Sequence, residues 1–301
     1  MIKPPSLQPN DRITLLAPAR QIVEEDMAFA IQTFENWGLK VDLGQHLYNK
    51  EAGYFSAPDE LRLADLQYAL NNSDIKAIIC ARGGYGTTRI IDQLDFTLAK
   101  QNPKWIVGFS DITALHATAF KNGMLSIHGN MPIVMSKERA TEANQKLYDL
   151  LFKNDCKTTT WQSHSSNKLG EAQGKLMGGN LTLLIDALAT KTENETKDCI
   201  LVVEEIDEHL YKIDRMFNHL KRAGKLENLK GLLVGYFTNN KQGERAFHLS
   251  FEEIILHHTR DYNFPISFGF PSGHEQPNMP WIHGAKATLI CSANQSTLNY
   301  I

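Results

Sequence analysis

The chain has 301 residues, 42% of them hydrophobic, and a formal net charge of −3 at pH 7. That length exceeds what one hydrophobic core usually serves, so two domains are expected. The slight acidity, with no long block of Lys or Arg, argues against nucleic acid or an anionic membrane as a partner. Strands are expected at residues 13–17 and 39–43, separated by a helix over 24–37 in which Met27, Ile31 and Phe34 recur at helical spacing. A second helix is expected over 58–71, with Leu61, Leu63, Leu66 and Leu70 on or near one face. Residues 75–81, apart from Lys76, form an apolar run of the kind that parallel sheets bury on both faces. The apolar strand from Trp105 passes without a spacer into a helical pattern after Ser110. Repeated βα units over residues 1–156 imply an α/β domain with a doubly wound parallel sheet and a site at the carboxyl ends of its strands.

Residues 157–169 are polar and rich in Thr and Ser, and they read as a linker. Residues 170–301 then form a smaller, β-rich mixed domain. Gly178-Gly179-Asn180 opens a helix to Leu188, strands are expected at 200–203, 231–237, 266–270 and 287–291, and helices at 213–223 and 251–259. Cys80, Cys156, Cys199 and Cys291 are widely spaced, form no C-x-x-C pair and read as reduced core thiols. No apolar stretch reaches the roughly 18 residues of a membrane span, and residues 1–9 lack the regions of a signal peptide, so the expected location is the cytoplasm.

Ser110 is the first candidate for chemistry. A serine on a tight strand-to-helix turn projects its hydroxyl off the carboxyl edge of a sheet, and the next backbone N–H groups point where an oxyanion would form. The pattern is incomplete, because Ile112 stands where a nucleophile elbow carries its second glycine. Ser110 could equally N-cap a helix beginning at Asp111. Arg82-Gly83-Gly84-Tyr85-Gly86 follows a strand directly and fits neither nucleotide fingerprint, which leaves a tight turn or an oxyanion hole on the same sheet edge as Ser110. His116, the nearest histidine in sequence, lies about 9 Å further along the helix and points away, as a packing residue would. His128, after a short strand, could approach the edge, and His128-Gly129-Asn130 reads equally as a turn. Glu204 and Glu205 end an apolar strand on opposite faces, so one of them can orient a histidine while the other is left to solvent. His274 sits in a Pro/Gly-rich loop of the kind that often holds catalytic groups. A metal site is not expected: no H-E-x-x-H occurs, and the adjacent His257 and His258 diverge by about 100° on a helix.

Taken together, ARGGYG (81–86), GFSDIT (108–113), IHGNM (127–131), GGNL (178–181), VVEE with YKIDRM (202–216) and PSGHEQPN with the later HGA (271–285) resemble the serine LD-carboxypeptidase family, which also contains the microcin C immunity peptidases. The motifs stand in family order over nearly the whole chain. The resemblance implies Ser110 as nucleophile, His274 as general base, Glu204 as its partner, and the backbone N–H groups of Gly84 and Asp111 as the oxyanion hole. It implies a murein peptide as substrate, with the terminal D-Ala removed from L-Ala-γ-D-Glu-meso-diaminopimelate-D-Ala in peptidoglycan recycling. It also implies a homodimer that needs no cofactor. Arg82, Arg89 and Arg215 are candidates by position for the cation that the substrate's carboxylate needs, and Tyr85 is a further candidate for binding. The chain departs from the family in two places: Asn130 stands where many relatives have Pro, and the segment around Trp161 does not match the aromatic loop with which immunity members hold an aminoacyl nucleotide. An aminoacyl-nucleotide hydrolase and a non-catalytic anion-binding module are the rival readings.

Overall fold

A computed structural model describes residues 1–49, 53–153 and 158–301, so Cys156 and Lys157 lie outside the described residues. The chain divides into two compact units, Met1–Asp155 with Gln276–His283, and Cys156–Glu275 with Gly284–Ile301. The first stretch contains β1 (Arg12–Leu16), α1 (Glu24–Asn36), β2 (Lys40–Leu43), α2 (Asp59–Asn71), β3 (Ile75–Cys80), α3 (Thr97–Gln101), β4 (Trp105–Gly108), α4 (Thr113–Lys121), β5 (Ser126–His128), α5 (Pro132–Met135) and α6 (Thr141–Tyr148). The second contains β6 (Thr158–Gln162), β7 (Gly170–Asn180), α7 (Leu181–Asp186), β8 (Cys199–Ile206), α8 (Leu210–Arg222), β9 (Gly231–Thr238), α9 (Phe251–Thr259) and β10 (Ile266–Phe268). The chain then gives β11 (Trp281–His283) to the first unit and ends in the second with β12 (Lys286–Cys291) and β13 (Gln295–Tyr300).

The first sheet has the order β11-β5-β4-β3-β1-β2. Its strands β2, β1, β3, β4 and β5 run parallel, and β11 pairs antiparallel with β5. The α/β doubly wound expectation holds. β3 and β4 are apolar because helices cover both faces, and Ile78, Cys80 and Ile106 pack with Leu66 and Leu70 of α2 and Leu115 of α4. The chain reverses its direction of travel across the sheet between the neighbours β1 and β3, which is where such sheets hold ligands at the carboxyl edge.

The second sheet is mixed, with the order β10-β9-β8-β7-β12-β13-β6. Two sequence expectations change here. Residues 158–162, read as linker, form the edge strand β6 against β13. Only Trp161 of that strand is buried; its indole N–H donates to Ser267 Oγ and to the Phe268 carbonyl, both at 3.1 Å. One apolar residue among threonines carries no period-2 signal, although Thr suits a strand. Residues 276–283, expected with the rest of 170–301, belong to the first unit, where Trp281 pairs with His128. A three-residue strand is too short to show periodicity.

Cys80, Cys199 and Cys291 are buried and unbridged, as expected of core thiols, and burial pushes the Cys199 thiol up to about 11. His116, His128 and His283 are also buried, stacked among themselves and on Trp281. His116 bonds Ser126 Oγ and the Gly108 carbonyl, both at 2.9 Å, so it is the packing residue expected. Burial pulls its pKa from 6.5 down to about 4, and that of His283 well below 6.5. In the unfolded chain both imidazoles take up protons near pH 6.5. The stability of the neutral pair is therefore complete above that pH and is lost as the pH falls toward 4, by about 1.4 kcal/mol per pH unit for each ring. Urea unfolding between pH 8 and pH 4 is expected to show this slope, reduced by about one proton in His116→Gln; an equal slope in both proteins would refute it.

Candidate active site

Ser110 follows β4 and the extended Phe109, and opens a 3-10 turn over Ser110–Ile112 that leads into α4. Its φ is +64°, in the left-handed region. An N-cap residue has extended backbone angles, so the capping reading does not describe this turn. A left-handed non-glycine residue costs on the order of 1–3 kcal/mol and persists only where its surroundings hold it. The missing second glycine is explained by the first. A Cβ on Gly108 would fall 2.8 Å from Ile112 Cγ2, so the bare glycine gives Ile112 the space to fold back under the turn.

The glycine loop after β3 lies directly on this turn. A Cβ on Gly83 would stand 3.0 Å from Ser110 Cβ, 3.1 Å from its Oγ and 3.2 Å from the Asp111 nitrogen. The buried Asp111 carboxylate accepts the Thr87 N–H at 2.9 Å, which ties the end of the loop to the Ser110 turn. From beneath, the buried Arg62 donates to the carbonyls of Gly86 at 2.9 Å and Ala57 at 3.1 Å, and also to Pro18, and pairs with Asp59. Gly84 and Gly86 have φ of +111° and +142°. The loop is thus held by side-chain bonds before any ligand arrives, as preorganised oxyanion donors require. Arg62 went unnoticed in the sequence because an arginine within an amphipathic helix reads as solvated.

In the second unit, β8 delivers Glu204 and Glu205 to opposite faces, and both are buried. Glu204 Oε2 lies 2.7 Å from His274 Nδ1. Two glycines permit that approach: a Cβ on Gly235 would sit 2.3 Å from the Ser272 carbonyl oxygen, and one on Gly273 (φ +133°) 3.1 Å from Glu204 Oε2. The loop is fastened to β9 through Tyr236 N–H to the Ser272 carbonyl at 2.8 Å. Burial lowers the His274 pKa, but the charge and hydrogen bond of Glu204, with Glu205 and Asp207 behind it, outweigh burial and leave it above 6.5. His274 retains 15% of its side-chain exposure while Glu204 has none. A buried carboxylate fixing one ring nitrogen leaves the other to act as a base.

Glu205, expected in solvent, instead accepts from Asn180 Nδ2, the Ile206 N–H, and the N–H and hydroxyl of Thr182, at 2.7–2.9 Å. Burial raises its pKa despite these bonds. It therefore anchors the turn into α7, a role invisible without the β7–β8 pairing. Ser110, Gly84 and Asp111 belong to the first unit, and Glu204 and His274 to the second. Of the other candidates, His128 is fully buried against Trp281. Arg89 is taken up by Asp59 at 2.8 Å, and Arg215 stands on α8 over the Tyr211 ring. Tyr85 is half exposed beside Phe55, and Arg82 is partly buried. Asn130 is buried and bridges Asn144 at 3.0 Å and Gln276 at 3.1 Å.

Comparison with known proteins gives a consistent result. Residues 13–129 match the profile of the LD-carboxypeptidase N-terminal domain, and residues 173–289 that of the LD-carboxypeptidase C-terminal domain. The chain is 36% identical to a probable murein peptide carboxypeptidase of Bacillus subtilis (strain 168), over 95% of this chain and 91% of the relative. The crystal structure of a muramoyltetrapeptide carboxypeptidase from Oxalobacter formigenes superposes with a TM-score of 0.85 at 28% identity, covering 96% of this chain and 98% of that one. An MccF-like protein from Bacillus anthracis str. Ames shares the fold, with a TM-score of 0.86 at 24% identity over 100% of both chains.

Proposed function

We propose, for a chain that belongs to the LD-carboxypeptidase family, that it is a serine peptidase which removes the terminal D-Ala from the murein tetrapeptide L-Ala-γ-D-Glu-meso-diaminopimelate-D-Ala. The observation that carries this reading is the backbone of Ser110, held at φ +64° against the glycine loop. In the proposed reaction Ser110 Oγ attacks the carbonyl carbon between diaminopimelate and D-Ala, and His274 Nε2 takes its proton. Glu204 holds the Nδ1–H and stabilises the imidazolium, while the N–H groups of Gly84 and Asp111 receive the oxyanion. Collapse breaks the C–N bond, and the imidazolium returns its proton to the departing amine. Water, deprotonated by the same imidazole, then releases the acyl group from Ser110.

The choice of a peptide substrate is supported by what the relatives are named for and by Trp161, which is packed against Phe270 within the second unit and so withdrawn from stacking on a base. Among the described residues no helix is long and apolar enough to cross a membrane. A cytoplasmic place in peptidoglycan recycling and a homodimer complete the proposal, to be checked by cell fractionation and sedimentation. The deciding experiment incubates the tetrapeptide with the protein and with Ser110→Ala and follows the mass. Loss of one alanine with the unaltered protein alone is the expected result. Cleavage of an aminoacyl-nucleotide conjugate with no action on the tetrapeptide would replace this reading by the rival hydrolase.

A further inference from the structure

Two guanidinium groups of the first unit stand on loops that follow neighbouring strands, Arg20 after β1 and Arg82 after β3. These are the two strands between which the order of the sheet reverses, so both arginines flank the crevice where doubly wound sheets take ligands. The Arg20 loop is fixed by backbone pairing with residues 54–56, through Gln21 N–H to the Tyr54 carbonyl at 3.2 Å and Ser56 N–H to the Ala19 carbonyl at 3.1 Å. Arg82 reaches back to the same loop and donates to the Gln21 carbonyl at 3.1 Å. Arg20 lies 5.2 Å over the Tyr54 ring.

The position of Arg20 relative to the reaction centre is read from the glycines. A Cβ on Gly84 would meet Arg20 Cβ at 2.9 Å and Cδ at 3.3 Å, so the Arg20 stem runs along Gly84, and the adjacent Gly83 touches Ser110. Arg12, Arg62 and Arg89 each have a carboxylate partner, whereas among the described residues neither Arg20 nor Arg82 forms an ion pair. Burial and the nearby Arg20 charge both act against the Arg82 cation; Asp26 and Tyr54 act for it, and the balance still lowers its pKa. Two close cations, neither in contact with a carboxylate and with Asp26 too weak a counter-charge to offset burial and their mutual repulsion, are stabilised by an anion, and guanidinium forks suit a carboxylate in particular.

We propose that Arg20 and Arg82 together receive the free α-carboxylate of the residue that the enzyme releases. The inference rests on the carboxypeptidase reading above and adds the determinant of its specificity for a chain end. The terminal carboxylate lies one residue beyond the scissile carbonyl, so its receptor must adjoin the oxyanion amides, as Arg20 adjoins Gly84. Arg20 was not a candidate by sequence, because nothing in residues 17–20 marks a ligand until the fold brings them beside the glycine loop.

The test compares kcat/KM for the tetrapeptide and for its C-terminal D-alaninamide analogue, in the unaltered protein, Arg20→Gln, Arg20→Lys and Arg82→Gln. The unaltered protein is expected to prefer the free acid. That preference should shrink roughly 10- to 100-fold in both Gln variants, the size that one charge-assisted hydrogen bond supports, chiefly through KM, with Arg20→Lys retaining part of it. Arg20 is exposed, so its substitution should leave the thermal midpoint unchanged. An unchanged acid-over-amide preference, or an equal fall on both substrates, would overturn the inference and leave the carboxypeptidase reading standing. Failure of the unaltered protein to cleave either peptide would overturn both.

Discussion

Ser110→Ala is expected to lower kcat by about a million-fold, because a nucleophile acts with its base as one unit and the remaining groups do little without it. Ser110→Gly should be equally inactive and more stable than Ser110→Ala by about 1 kcal/mol. Both variants lack the hydroxyl, so the difference between them reports the Cβ held at φ +64°. Urea unfolding of the two variants measures it, and tetrapeptide turnover measures the loss. Retained turnover in either would remove Ser110 from its role, and a less stable glycine variant would show that the turn is unstrained. The pairing of outcomes separates function from fold: the proposed nucleophile is held in a conformation that a residue chosen for stability alone would avoid.

Glu204→Gln carries the second large effect, an expected fall in kcat of about 1,000- to 10,000-fold, as when the partner carboxylate of a triad is neutralised. The pH dependence gives a sharper signature. In the proposed mechanism His274 must be neutral to accept the Ser110 proton, and Glu204 holds its pKa above 6.5 despite burial. The acid limb of kcat/KM in the unaltered protein should therefore lie above pH 6.5, with activity lost as the pH falls through it. In Glu204→Gln the burial remains and the attracting charge is gone, so the limb of the residual activity should move to lower pH. A limb that stays in place would separate His274 from Glu204 functionally, whatever their 2.7 Å contact. NMR titration of the imidazole gives the same answer without turnover.

The parts of this protein that were legible in its sequence are those where one physical signal dominates. β3 and β4 are buried on both faces apart from the exposed Lys76 near the start of β3, so they read as apolar runs, and the Ser110 turn was visible because a strand meets a helix with no residue to spare. The glycine loop declared itself by composition. Side chains whose role depends on what lies across the fold were not legible. Trp161 carries a whole edge strand on one ring, Glu205 looks like a solvated acid until Asn180 and Thr182 surround it, and Arg62 looks like a surface residue of α2 until three carbonyls converge on it. The same holds for Arg20 and for the imidazole stack, whose members come from α4, β5 and β11. Local pattern identifies elements and punctuation, while buried polar partners are set by tertiary pairing.

The return of β11 to the first sheet bears on how the protein is made. Its partner β5 ends at His128, yet Trp281 and His283 that complete the sheet edge and cover the imidazoles lie about a hundred and fifty residues later in the chain. A ribosome delivers nearly all of the second unit before the first can close, so the usual order of completion, amino-terminal domain first, cannot apply here. A gene fragment ending at residue 155 would encode a sheet with its edge open and its buried histidines uncovered. The two units are therefore not interchangeable cassettes: an uninterrupted piece of the gene that spans residues 156–301 carries the whole second unit, but it takes with it the strand that the first unit needs.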